Sequence, residues 1–323
     1  MQTASFSSVD RSSAGVSLWA DFPGDWRVGP VAQRPFQVYW DQSHAFGQLL
    51  PRPALEDIPD FYNVDNYYTH GQTAEHSANP KQSLGSKIIH RLSCKFDHSA
   101  HTDIDWWQNL LGPSPRDFLE IGCGGGGKLE RVQSLGHNCI GVEPDVNAIA
   151  ETSRRGLNVL EGTAENLPNS LKPGQFDCIF MHHVLEHCLD PALAIQNCRK
   201  LLRPGGMLVV EVPNNECAGR AFYGAAWLWL DVPRHLNFFT HKSLAAIAST
   251  NGFDAPRIEY AGYSRQFGSG WFKEQDGIAE LFNLPKRSGF LARAMYLLKT
   301  AFTHDKHKYD SVRIIASAPH ETA

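Results

Sequence analysis

None of the seven cysteines (positions 94, 123, 139, 178, 188, 198 and 217) belongs to a Cys-x-x-Cys pair. That absence removes the zinc ribbon and the thioredoxin-like redox pair. The odd number and wide scatter also argue against a disulfide framework, so reduced thiols in a cytoplasmic protein are expected. Long apolar runs are missing too. The longest candidate, AFYGAAWLWL, reaches about half of the roughly 20 residues that a membrane helix needs, so no membrane span is expected. The start, MQTASFSSVDRSSAG, lacks the apolar centre of a signal peptide. Neither sign of charge dominates: 30 Lys and Arg against 34 Asp and Glu give a net charge of −4. A general nucleic-acid partner is therefore not expected. No internal repeat is visible.

What is present has a clear order. Residues 1–30 are rich in Ser and Gly and read as a loosely ordered tail. Residues 31–83 are aromatic and Pro-rich without sustained periodicity, which predicts an irregular N-terminal cap. From 84 to 323 short apolar runs alternate with helix-length segments: RDFLEIG, NCIGVE, LNVLEG, FDCIFMH, GMLVVEVP, RIEYAGYS and SVRIIASAP. Near-continuous apolar strands separated by helices predict a doubly wound α/β domain, its mostly parallel sheet covered on both faces. In such sheets ligands lie at the carboxyl ends of the strands.

The first of these strands ends in FLEIGCGGGGKLE, where Gly122, Gly124 and Gly127 satisfy Gly-x-Gly-x-x-Gly. Alone that pattern is weak, because any tight strand-to-helix turn over a nucleotide needs glycine. Two acids narrow it. Glu120 precedes the glycines and would repel a pyrophosphate, whereas a ligand carrying an ammonium and a sulfonium would tolerate it. Glu143, ending the next strand in GVEPD, stands where a carboxylate accepts from both ribose hydroxyls. Together they suit a cationic nucleoside, of which S-adenosylmethionine is the common one.

FLEIGCGGGGKLE resembles motif I of the class I S-adenosylmethionine-dependent methyltransferases, and GVEPD resembles their acidic second motif. EGTAENLP is similar to the adenine-contacting segment, FDCIFMHHVLEHCLDP to the fourth-strand motif, and LLRPGGMLVVEVPN to the helix–turn–strand after it. The resemblance implies a Rossmann-like sheet of seven strands with the last antiparallel, RIEYAGYS and SVRIIASAP forming the terminal pair. It further implies that Glu120, Gly122 and Gly124 hold the methionine part, Glu143 the ribose, and Ala164 and Glu165 the adenine edge. His182 would sit under the cofactor, and S-adenosylhomocysteine would be the product. In the cap, NYYTHG resembles a segment that closes over the cofactor, with Tyr67 or Tyr68 covering the methionine end. A lid or insert is expected at about 214–241. A second insert is expected at about 265–309, with a helix around GFLARAMYLLKTAF.

HHVLEH, residues 182–187, contains His-x-x-Glu-His, which in a long helix would suggest a zinc peptidase. The strand FDCIFM directly before it argues against that setting. The string is expected to open the next helix beside the cofactor, and three readings stay open. The histidines could pack under the cofactor, or His187 could act as a base or orienting donor. Alternatively His183, Glu186 and His187 could hold a divalent metal, as a similar string in the ubiquinone-pathway O-methyltransferases implies. The imidazole at 183, where those enzymes have an acid, favours softer ions. The catalytic reading is preferred and no metal is expected.

A second cluster, AAWLWLDVPRHLNFFTHKSL, resembles a stretch leading into a helix over the active site of small-metabolite and sugar methyltransferases. His187 and His235 then flank the acceptor, since two imidazoles suit proton removal near neutral pH. Trp227 and Trp229 form either a substrate wall or core, and Arg234 either binds an anion or makes an ion pair. The expectation is methyl transfer to a small-molecule acceptor, preferably at oxygen. The alternatives are C- or N-methylation of a sugar or secondary metabolite, a non-catalytic cofactor-binding homologue, and a nicotinamide-dependent oxidoreductase.

Overall fold

The computed structural model describes residues 9–27, 34–62, 84–99, 101–287 and 289–320. Near the N-terminus, apolar alternation is real but brief: Phe36 and Val38 are buried, while Gln37 and Tyr39, which follow each of them, are only partly so. Those positions belong to an antiparallel set, β1 (Val16–Phe22), β2 (Phe36–Asp41) and β3 (Phe46–Leu50). The expected loose tail and irregular cap are thus corrected, within the described residues, to a small sheet. Its periodicity is short because each strand spans five to seven residues, and a two-face pattern needs several residues to register. Residues 63–83, with Tyr67 and Tyr68, lie outside the described residues.

The main sheet is built from β4 (Asp117–Ile121), β5 (Asn138–Glu143), β6 (Val159–Glu161), β7 (Phe176–His182) and β8 (Leu202–Pro213). After β8, the two-residue β9 (Asn237–Phe238) joins β3 as the fourth strand of the small sheet. β10 (Arg257–Ala261) and β11 (Ser311–Ser317) complete the main one. Its order is β10-β11-β8-β7-β4-β5-β6, and β11 runs antiparallel to both neighbours. This is the seven-stranded, doubly wound arrangement with a reversed last strand. The central strands are apolar along their length: in β7 Phe176 and Cys178 to Met181 are buried, because helices cover both faces.

Helix punctuation aims the strand ends. Asp190 caps the helix Pro191–Leu201 by accepting from the Leu193 N–H at 3.0 Å, with Pro191 in its first turn. Thr240 caps His241–Thr250 with a reciprocal box through Ser243. The segment between β10 and β11 holds two long helices, Ser269–Leu281 and Phe290–Thr300, and a short one, Asp305–Lys308. The second is the helix expected around GFLARAMYLLKTAF.

Candidate functional site

At the carboxyl end of β4, Gly122, Gly124 and Gly126 take φ of 70°, 50° and 71°, a region that side chains other than glycine rarely adopt. A Cβ on Gly122 would run into Val184 Cγ2, so the loop lies against the HHVLEH turn. A Cβ on Gly124, Gly125 or Gly127 would meet nothing within 4 Å, so this loop faces open space. Glu143 braces it: Oε2 accepts from the Gly124 N–H at 2.8 Å and Oε1 from the Asp145 N–H at 3.2 Å. Glu120 is buried, and its Oε2 has no hydrogen-bond partner among the described residues. Burial pushes its carboxyl up to about 7, against the pull of the Lys128 ammonium.

Lys128 also reaches His182 Nδ1 at 3.3 Å. An ammonium can only donate, so His182 carries its hydrogen on Nε2, which faces Glu211 Oε1 at 3.6 Å. Burial opposes ionisation of Glu211, yet His182 and Arg313 hold its carboxyl well below the usual range. Parallel register sets His182 opposite Glu211 on the neighbouring strand. The signal for this pairing was an acid inside the apolar run VVEVP.

Ala164 is buried, and its carbonyl accepts from Asn197 Nδ2 at 3.0 Å. Glu165 Oε1 accepts from the Asp190 N–H at 2.6 Å. Its carboxylate therefore anchors the cap of the following helix.

HHVLEH does not open that helix. His183 has φ of 55°, and Leu185–His187 form a single 3-10 turn ahead of the cap at Asp190. This corrects the expected helix start, and it removes the helical face that a zinc-peptidase motif requires. The left-handed residue lays the His183 ring on Trp229, with centroids 4.9 Å apart and planes at 13°. His183 Nδ1 and Glu186 Oε1 are hydrogen-bonded at 3.0 Å, leaving His183 Nε2 and Glu186 Oε2 buried and without partners among the described residues.

His187 precedes β8 in the chain and His235 follows it, yet they come together, their rings 4.6 Å apart and nearly perpendicular. Each is oriented by a main-chain carbonyl: His187 Nδ1 donates to Arg234 O at 3.1 Å, and His235 Nδ1 to Trp229 O at 2.8 Å. A carbonyl only accepts, so both rings carry hydrogen on Nδ1 and a lone pair on Nε2. His235 Nε2 faces Glu186 Oε1 at 3.9 Å. The Tyr62 hydroxyl lies 2.9 Å from His187 Nδ1, a partner not anticipated from a Pro-rich cap. Burial lowers His187 to about 3 and His235 to about 4, and it raises Glu186 well above the carboxylate range. The expected titration near neutrality is corrected accordingly: both imidazoles are neutral acceptors at pH 7. Each of two sets, Glu186–His187–His235 and His182–His183–Glu211, gathers ligand atoms within 4.8 Å of one another.

Arg234 is buried and spoken for, its guanidinium reaching both Asp25 oxygens at 2.6 and 2.8 Å, Asp231 at 3.1 Å and the Phe61 carbonyl at 2.9 Å. Trp227 is core. Trp229, by contrast, borders the histidines and donates to Asp310 at 2.9 Å.

Residues 96–256 match the model of a methyltransferase domain family. A ubiquinone biosynthesis O-methyltransferase of Methylococcus capsulatus is 31% identical over 161 residues, 46% of this chain and 68% of that protein. One from Cereibacter sphaeroides is 29% identical over 185 residues, 52% of this chain and 74% of that protein. Among solved structures, an S-adenosylmethionine-dependent methyltransferase from Archaeoglobus fulgidus is 20% identical, covers 72% of this chain and 94% of its own, and has a TM-score of 0.47. The chain belongs to the class I S-adenosylmethionine-dependent methyltransferases. It is an enzyme of methyl transfer whose cofactor is S-adenosylmethionine. No helix among the described residues is long and apolar enough to cross a membrane.

The cofactor end fits this ligand. The glycine loop faces open space, the carboxylate that braces it is held by two backbone amides, and a buried carboxylate oxygen lacks a partner.

Proposed function

We propose that the enzyme methylates an oxygen of a small hydroxylated acceptor held against His187 and His235. The observation that carries this reading is the pair of neutral imidazoles, each fixed through Nδ1 to a main-chain carbonyl and each offering Nε2. The names of the relatives support oxygen as the acceptor atom. Glu120, Gly122 and Gly124 hold the methionine part, Glu143 the ribose, Ala164 and the backbone at Glu165 the adenine edge, and His182 lies beneath. S-adenosylmethionine brings a methyl group already activated by its sulfonium. The chain's own residues orient the acceptor and take its hydroxyl hydrogen at Nε2. An imidazole pushed down to about 3 or 4 is a weak base. Its stronger contribution is then to align the hydroxyl, accepting its hydrogen bond as the proton leaves. The seven free thiols support a reducing, cytoplasmic setting. Residues 84–323 form the methyltransferase domain, with 214–241 as its lid.

The test is turnover on a panel of phenols, sugars and carboxylates, followed by His187→Ala and His235→Ala on whichever acceptor is methylated. Loss of turnover with intact S-adenosylhomocysteine binding supports the reading, whereas normal turnover in both variants returns the pair to packing. A second reading is favoured by the convergence of Glu186, His187 and His235, which could hold a divalent cation. Activity that survives EDTA supports the metal-free reading. Stoichiometric metal, with activity lost to chelator and restored by the ion, supports the second.

A further inference from the structure

We propose that the face formed by the helices Leu84–Phe96 and Phe290–Thr300 docks on an anionic lipid bilayer. The two helices lie side by side in the same sense. A Cβ on Gly85 would meet the Phe290 ring at 2.8 Å, Arg293 donates to Ser86 Oγ at 2.7 Å, and at the far end the Phe96 and Phe302 rings are 5.2 Å apart. The inward face of the second helix, with Tyr296, Leu297 and Thr300, is buried against the core. The outward face is bulky and apolar: Leu291 is 72% exposed, Met295 57%, Leu298 75% and Phe302 83%. At helical spacing the first three fall within one narrow stripe, which Phe302 extends from the turn just past Thr300. Leu84, Ile88 and Leu92 continue it on the first helix at every fourth position, all exposed.

Single exposed leucines need no explanation, but seven large apolar side chains on two adjoining helices do. The charge around them identifies the occupant. Lys87, Arg91 and Lys95 make a parallel stripe beside Ile88 and Leu92, and Lys299 stands beside Leu298. All four are exposed, and none is in an ion pair among the described residues. Residues 84–96 and 289–304 contain no Asp or Glu, in a chain with 34 acids and a net charge of −4. An apolar stripe edged by cations whose stems can reach upward is the pattern of a helix lying in a lipid headgroup layer. A second copy of the chain would set the same basic rim against itself, so like charges oppose a symmetric dimer through this face. With no helix among the described residues able to cross a bilayer, the contact is peripheral.

Co-sedimentation of the full chain with vesicles tests the proposal, using phosphatidylcholine alone and equal parts of phosphatidylcholine and phosphatidylglycerol. Pelleting is expected with the anionic vesicles only, and it should weaken as salt is raised. Leu291→Ser with Leu298→Ser, and separately Lys87→Glu with Arg91→Glu, should each reduce vesicle affinity roughly tenfold or more. All four positions are exposed, so melting temperature and S-adenosylhomocysteine binding should hold, which separates lost docking from lost folding. No pelleting on anionic vesicles, or pelleting that neither double variant changes, overturns the proposal. So does a concentration-dependent dimer that the Leu291/Leu298 variant abolishes, since the face would then belong to a second copy.

Discussion

Glu120, Gly122, Gly124 and Glu143 lie within 24 residues of one another along two adjacent strands. The histidine cluster instead gathers Tyr62, the turn His183–His187 and the stretch Trp229–His235, held together by contacts spanning 47 and 125 residues. The cofactor side is local, so its geometry follows from a strand, a glycine loop and parallel pairing with the next strand. The proposed acceptor side is assembled from a distance and stays in place only while its fastenings hold. Strain, or a missing partner, should therefore reach the acceptor side first.

The largest expected effect comes from the fastening itself. Arg234→Met leaves the carboxylates of Asp25 and Asp231 without their shared guanidinium, in a place where Arg234 is buried. Removing one partner of a buried pair costs about 3–5 kcal/mol. Denaturant unfolding should register a loss of that size, with acceptor turnover falling further than cofactor affinity. A variant that melts with the parent would show that Arg27, which also holds Asp231, suffices.

Next come the histidines. Replacing either His187 or His235 by Ala should lower turnover by about 100-fold while S-adenosylhomocysteine affinity stays near the parent's. The double variant should lose less than the product of the two if, as proposed, both act on one hydroxyl. Equal losses in turnover and cofactor affinity would erase the distinction between the two sides.

On the cofactor side, Glu143→Ala removes the acceptor for the Gly124 and Asp145 amides, and by the proposed role for the ribose hydroxyls too. Calorimetry should show cofactor binding weaker by about 1–3 kcal/mol. Unchanged affinity would move the ribose elsewhere.

The same contrast explains what could be read in advance. Motif I, GVEPD and the succession of strands and helices were legible because apolar runs and glycine spacing are local properties, whereas the reversed last strand followed from family resemblance. The pairing of His235 with His187 was legible only through family resemblance, since nothing in DVPRHL says which carbonyls will orient its imidazole. The protonation state was not legible at all. His187 and His235 suggest neutral-pH titration as residue types, and burial by segments far away in the chain moves them to about 3 and 4. The small N-terminal sheet was hidden for a related reason: its fourth strand, β9, arrives some 190 positions later, where buried Gln48 meets Asn237.

A single proton separates the two sides by the sign of its pH slope. Glu120 has a folded value of about 7 against an ordinary 4.5. Ionising it in the folded state is unfavourable, so the cofactor-free protein loses stability as pH rises from 4.5 to 7, and the loss then levels off. His235 is depressed to about 4 from 6.5. Its unfolded form binds a proton that the folded form refuses, so stability is lost as pH falls from 6.5 toward 4. Each group contributes a slope of no more than about 1.4 kcal/mol per pH unit. Glu186, raised by the same burial, opposes the histidine in the wild type, so only differences between variant and parent read out one group. Urea unfolding of Glu120→Gln should give a stability gain over the parent that is near zero at pH 4.5 and grows to pH 7. His235→Gln should give a difference that grows in the acid direction below pH 6.5. Two differences that change in the same direction with pH across that range would mean that one buried environment governs both sides of the site.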